Sequence, residues 1–124
     1  MKKHHLLIFI WVSFMVIITY WAMVPNGGAF LAIGKEKPWM FRHFLTFLVF
    51  VPLTKFTFPK LNYLNLFLIS FGFGLLIEFL QHWFTNGVRE FNLSNLAMNL
   101  VGIVVGMGIL GLKSKVERRN SYQV

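Results

Sequence analysis

Residues 6–24 (LLIFIWVSFMVIITYWAMV) run for nineteen positions without one charged side chain. About 20 such residues, rising 1.5 Å each, cross the hydrocarbon core of a bilayer. The preceding Lys2-Lys3 pair makes a cleaved signal peptide the competing reading. The apolar region of a signal is roughly 7–15 residues and ends in a small-residue cleavage site. This run is longer, carries Tyr20-Trp21 near its end and has no A-x-A pattern, so it reads as a retained membrane helix. Composition points the same way. Charged residues make up 13% of the chain, against about 25% in average soluble domains. A chain of 124 residues supports one domain, and its interior is too small to hide 15 Phe and 4 Trp. A soluble enzyme, a disordered chain and, with no cysteine, a disulfide scaffold are all excluded.

Three further apolar blocks follow. Pro25-Asn26-Gly27-Gly28 breaks the first helix. The second is expected over about 38–54, because proline suits the first turn, where its missing N–H would be unpaired anyway. It is short and carries Arg42 and His43 early, so it must tilt, thin the bilayer or extend through Phe56 and Phe58. A basic turn from Lys55 to Lys60 leads to a third helix at 61–84. A polar connection from Thr85 to Ser94 leads to a glycine-rich fourth at 95–112, followed by a basic tail at 113–124. The expected fold is an all-α integral membrane bundle of four helices in a single domain.

The charge pattern sets an expected orientation. Lys2, Lys3, Lys55, Lys60, Lys113, Lys115, Arg118 and Arg119 fall on one side of such a bundle, and Lys35, Lys37, Arg42 and Arg89 on the other. Excess Lys and Arg stay cytoplasmic, so both termini are expected inside a cell membrane. Trp21, Trp39 and Trp83 then sit at outer helix ends, where amphipathic rings favour the interface. The net charge of +8 lies between apolar blocks rather than along one polar face. It implies anionic lipid headgroups as partners and not nucleic acid.

Polar groups at membrane depth cost several kcal/mol unless partnered, so each one needs an explanation. Glu78, Gln81 and His82 stand at i, i+3 and i+4 and are expected on one helix face. That face continues through Gly74 and Ser70, a small-residue stripe that lets another helix approach closely. On the fourth helix Asn92, Asn95, Asn99, Gly102 and Gly106 are spaced 3, 4, 3 and 4, making a face suited to the third helix. Arg42, His43, Glu78, Gln81, Arg89, Asn95 and Asn99 should therefore gather in the outer half. Glu78 is expected to pair with Arg42 or Arg89, with His43 and Asn99 completing the network. His43 and His82 with Glu78 match no strong zinc spacing such as H-E-x-x-H, so neither a metal nor a cofactor is expected. His82, beside Trp83, reads as a headgroup contact.

The string Glu78-Phe79-Leu80-Gln81, then Arg89, Asn92, Asn95, Asn99 and Gly102, resembles the VanZ-like family of small multi-helix membrane proteins. The family pattern runs E-x-x-Q, a short P-x-R turn, then S-x-x-D-x-x-x-N-x-x-G-x-x-x-G. Upstream it carries D-K-x-x-H-F, whose last two positions fit His43-Phe44. The resemblance spans about residues 39–106. The chain departs from it at Trp39 and Met40, which replace the acidic and basic positions. Asn92 and Asn95 replace the serine and aspartate, and the Gln-to-Arg turn is two residues longer and lacks proline. The founder of the family is associated with low-level teicoplanin resistance. The resemblance therefore implies an outward-facing site that binds or shields an amphiphilic or lipid-linked envelope ligand, such as a lipid-linked cell-wall precursor or a glycopeptide.

Other function classes make different demands. A small-solute transporter needs polar residues continuing to the inner side, where Phe, Leu, Ile and Val dominate. An assembly subunit of a membrane complex, or a partner that is a second copy of the chain, needs only helix faces. A membrane enzyme needs an acid/base pair beside its substrate, for which only Glu78 with His43 could serve, and no catalytic residue is expected. The expected functional cluster is His43, Glu78, Gln81, Arg89, Asn95 and Asn99, with Ser70, Gly74, Gly102 and Gly106 as packing residues.

Overall fold

In a computed structural model, which describes residues 2–23, 38–85 and 91–123, the chain forms four helices and, among the described residues, no strand. They are α1 (Lys3–Met23), α2 (Pro38–Thr57), α3 (Tyr63–Phe84) and α4 (Leu93–Ser121). Local chemistry sets their ends. The helix of α2 stops at Thr57, two residues before Pro59. The Lys55 ammonium donates to the carbonyls of Pro59 and Leu61, at 2.8 and 2.5 Å, tying the turn that follows back onto the last turn of α2. Asn62 caps α3 by accepting from the Asn65 N–H, and Asn92 caps α4 by accepting from the Ser94 N–H. Both are short polar side chains of the kind preferred at this position.

Two long-range bonds fix how the helices run. The Trp11 indole N–H donates to Thr54 Oγ1 (2.9 Å), tying the first half of α1 to the end of α2. Gln81 Nε2 donates to the Ala22 carbonyl (2.9 Å), tying the ends of α3 and α1. With the Asn92 N–H at the start of α4 bonded to Glu78 near the end of α3, neighbours in sequence are antiparallel. Both α1 and α4 pack on α2 and α3, so α2 and α3 form the middle of the bundle. Phe47, Phe50 and Val51 of α2 meet Leu66, Phe73 and Ile77 of α3 and Ile103 and Leu110 of α4 in the core. Phe50 and Phe73 stack with centroids 4.9 Å apart. No residue of α1 is fully buried, and it adds Trp11, Phe14, Met15 and Ile18 to the edge of this core.

The outward faces are as apolar as the core. Phe9, Val16, Leu64, Leu68, Val104, Ile109 and Leu112 are all exposed. Patches of this extent mark a surface that meets something other than water. Helices α1, α3 and α4 are long and apolar enough to cross a membrane. Helix α2, which carries Arg42, His43, Pro52 and Lys55, is not among them. Its polar groups lie on a helix that, like α3, touches all three others, where neighbours can supply partners.

Three expectations are corrected. Helix α2 runs through Phe56 to Thr57, so Lys55 belongs to its last turn rather than to a connecting turn. Helix α4 starts at Leu93 and continues to Ser121, so residues 113–121 are helical and not a tail. Its 29 residues span about 43 Å at 1.5 Å each, well beyond the apolar stretch that ends at Leu112. The third correction concerns the glycine face of α4, which packs on α2 and not on α3. A Cβ added at Gly102 would lie 2.5 Å from the Phe44 carbonyl oxygen, and one at Gly106 would lie 3.1 Å from Val51 Cβ. The reason is volume. Helix α2 presents Phe44, Phe47, Leu48 and Val51 to α4, and only a backbone without side chains fits against them. Pro52 has no N–H for the Leu48 carbonyl, and that oxygen faces Gly106 (3.5 Å from an added Cβ).

Candidate functional site

The described residues of the expected cluster, His43, Glu78, Gln81, Asn95 and Asn99, gather at the end of the bundle formed by the C-termini of α1 and α3 and the N-termini of α2 and α4. At its centre is Glu78, fully buried on α3. The residue sits one turn above Gly74, on a stripe that also buries Ser70 and Gln81. The Asn92 backbone N–H donates to Glu78 Oε2 at 3.2 Å. The carboxylate thus lies over the N-terminus of α4, where the aligned peptide dipoles favour negative charge. Its other oxygen, Oε1, is 3.9 Å from His43 Nε2 on α2, an electrostatic separation rather than a hydrogen bond.

His43 in turn joins α2 to α4. Its Nδ1 lies 2.8 Å from Asn99 Oδ1. The ring thus turns Nδ1 toward the Asn99 amide and presents Nε2 to Glu78. The Asn99 side chain is fully buried. Its Nδ2 would lie 3.0 Å from a Cβ on Gly74, so the missing side chain at Gly74 is what admits the amide between α3 and α4. Glu78, His43 and Asn99 thus form one connected line through three helices.

The remaining expected residues divide. Gln81 is buried and reaches α1 through the Ala22 carbonyl. Arg42 is half-buried at the same end. Asn95 is half-buried, and its Oδ1 has no hydrogen-bond partner among the described residues. His82 is corrected: it is exposed and does not share the face of Glu78 and Gln81. The buried stripe of α3 is centred between Gly74, Ile77 and Gln81, and one residue beyond Gln81 turns about 100° out of it. Arg89 lies outside the described residues, and so does its expected pairing with Glu78. Trp21 and Trp83 are both exposed at this end. Among the described residues no three His, Cys, Asp or Glu side chains come together as a metal site requires.

Some polar contributors were not anticipated. Thr85 is buried, and its hydroxyl donates to the Gln81 carbonyl. Continuing the 78, 81, 85 spacing would have found it. The Asn92 backbone N–H, a partner of Glu78, has no sequence signature. In the other half of the bundle Thr54 and Thr57 are buried, with hydroxyls donating to the Phe50 and Leu53 carbonyls (2.7 and 2.8 Å). Among protein-family models, curated proteins and solved structures, none significantly matches the chain.

Proposed function

We propose that the protein is a four-pass membrane protein with both termini cytoplasmic, whose outward polar end binds or shields an amphiphilic or lipid-linked envelope ligand. The reading draws on the resemblance of residues 39–106 to VanZ-like proteins, and with it a link to glycopeptide resistance. One observation carries it: a fully buried carboxylate and amide, Glu78 and Asn99, joined through His43 at one end of the bundle, whose other half buries only hydroxyls among its described polar side chains. Desolvating such groups is expensive, and a bundle held only by helix packing has no need of them. The Asn95 carbonyl oxygen, which has no partner among the described residues, adds an acceptor for the polar part of a ligand.

The test is glycopeptide susceptibility in a sensitive host, with expression checked for each variant. Glu78→Gln keeps an acceptor for the Asn92 N–H and removes the charge, so it is expected to be made normally and to lose the phenotype. Asn95→Asp, which restores the acidic position of the VanZ-like pattern, is expected to retain it. A normally made Glu78→Gln protein with the full wild-type phenotype would overturn the reading. Lipid or antibiotic co-purifying with the protein and identified by mass spectrometry would name the ligand class.

A further inference from the structure

At the opposite end of the bundle a groove opens between the first turn of α1 and the α2–α3 turn, its lining including His4, Phe58, Lys60, Leu61 and Asn65. Its two sides differ in chemistry. Phe58 and Leu61 give an apolar wall, and Phe58 is held edge-on by the Trp11 ring at 5.2 Å. Lys60, His4 and Asn65 give a rim of donors. The cations at this end are not equivalent. Lys55 is committed to the Pro59 and Leu61 carbonyls, and Lys113 lies 3.9 Å from Glu117 and 4.8 Å above the Phe56 ring. Lys60 is exposed and has no ion pair or hydrogen bond among the described residues. The first turns of α1 and α3 contain no acidic residue, and Lys2 and Lys3 add further positive charge beside His4.

We propose that this groove binds one anionic diacyl phospholipid, with its phosphate on Lys60 and His4 and the start of an acyl chain on Phe58 and Leu61. Charge and shape select this occupant together. A zwitterionic headgroup brings its own cation next to Lys60, and inorganic phosphate leaves the apolar wall uncovered. The inference rests on the chain residing in a membrane and not on the identity of the outward ligand. Its failure therefore stays separate from that of the Glu78→Gln test.

Native mass spectrometry of the full chain in detergent, titrated with phosphatidylglycerol, phosphatidylcholine or inorganic phosphate, tests it. One phosphatidylglycerol is expected to bind about fivefold or more tightly than phosphatidylcholine, the factor that one lysine near an anionic surface supplies. Lys60→Gln is expected to lose about that factor, Lys60→Arg to keep wild-type affinity, and Lys115→Gln, away from the groove, to change little. Asn65→Ala removes a rim donor but leaves its capping backbone N–H. It is expected to weaken binding by at least about twofold, and it decides the matter if Lys60→Gln fails to fold. Equal affinity for the two lipids would overturn the proposal. So would an equal loss in Lys115→Gln, unchanged affinity in Asn65→Ala, or displacement of phosphatidylglycerol by equimolar phosphate.

Discussion

Glu78, His43 and Asn99 could be singled out from the sequence because a charge or amide among apolar neighbours is costly wherever it lands. The structure brings His43 and Asn99, both expected beside Glu78, into one line with it. The remaining partners could not be read, because spacing along one helix says which residues share a face and nothing about which helix that face meets. Beside the arginine expected for Glu78, the described residues bring it an imidazole at 3.9 Å and a backbone N–H at 3.2 Å, the second of which no side-chain pattern announces. The glycines of α4 were legible as a packing face for the same reason, and their assignment to α3 failed for the same reason. Breaking a buried pair by removing one partner costs about 3–5 kcal/mol, so Glu78→Ala is expected to lower the melting temperature in detergent sharply. A change within about 0.5 kcal/mol, as at an ordinary surface site, would show that the carboxylate is neither buried nor paired. The glycines give a cleaner comparison, since the same substitution meets different surroundings on one helix. Gly102→Ala drives a methyl group to 2.5 Å from the Phe44 carbonyl oxygen, whereas around Gly108 nothing lies within 4 Å. The first should destabilise by about 1–3 kcal/mol, as overpacking does. The second should be neutral or gain up to about 1 kcal/mol from helix propensity. Equal melting temperatures for the two would disprove the close α2–α4 approach.

At the scale of the elements, all four helices were legible from apolar block length and from Pro38, Pro59 and the glycine-rich break. The start of α2 at Pro38 and the end of α3 at Phe84 were legible too, but the end of α2 and both ends of α4 were not. Helix α4 continues to Ser121 because Lys113, Ser114, Lys115 and the residues after them favour helix as well as the apolar stretch does. Polarity marks where a helix leaves an apolar phase and not where it stops. Helix α2 was the hardest to place, because its polar residues look like defects in a span until its neighbours are known. One of those neighbours is α1, which contributes no fully buried residue and is held in part by the Trp11–Thr54 bond. That bond gives an asymmetric prediction. Trp11→Phe keeps the ring between Phe50 and Phe58 and loses one hydrogen bond, about 1 kcal/mol. Thr54→Val removes the acceptor and strands the indole N–H in apolar surroundings, which costs about 1–3 kcal/mol. In a double-mutant cycle the combined loss should fall short of the sum, because the two changes remove the same contact. Strictly additive losses would mean that the bond contributes nothing to docking α1.

For the molecule as a whole, the antiparallel order sorts the charge. The α2–α3 turn, the start of α1 and the end of α4 share one end, and they carry Lys2, Lys3, Lys55, Lys60, Lys113, Lys115, Arg118 and Arg119. The buried carboxylate, the amides and Trp21 and Trp83 share the other. A bundle polarised in this way has two chemically different ends, and the proposed orientation, in which Lys and Arg stay on the cytoplasmic side, turns the basic end inward. The chain contains no native cysteine, so single cysteines can report each end without background. Cysteine at Gly27 or Gly87 should react with an impermeant maleimide in intact cells, and cysteine at Ser121 should react only after the membrane is opened. Labelling confined to Ser121 would reverse the bundle and turn the Glu78 end to the cytoplasm, leaving an envelope ligand without access. Reaction at Gly27 in intact cells, with Gly87 and Ser121 both protected, would mean that the helices between Gly27 and Gly87 do not make a paired crossing. The polar line from Glu78 to Asn99 would then belong to a bundle with fewer than four spans. Only outward reaction at both Gly27 and Gly87, with protection at Ser121, places the buried carboxylate at the outer face of a four-pass bundle, where a ligand from the envelope can reach its end of the protein.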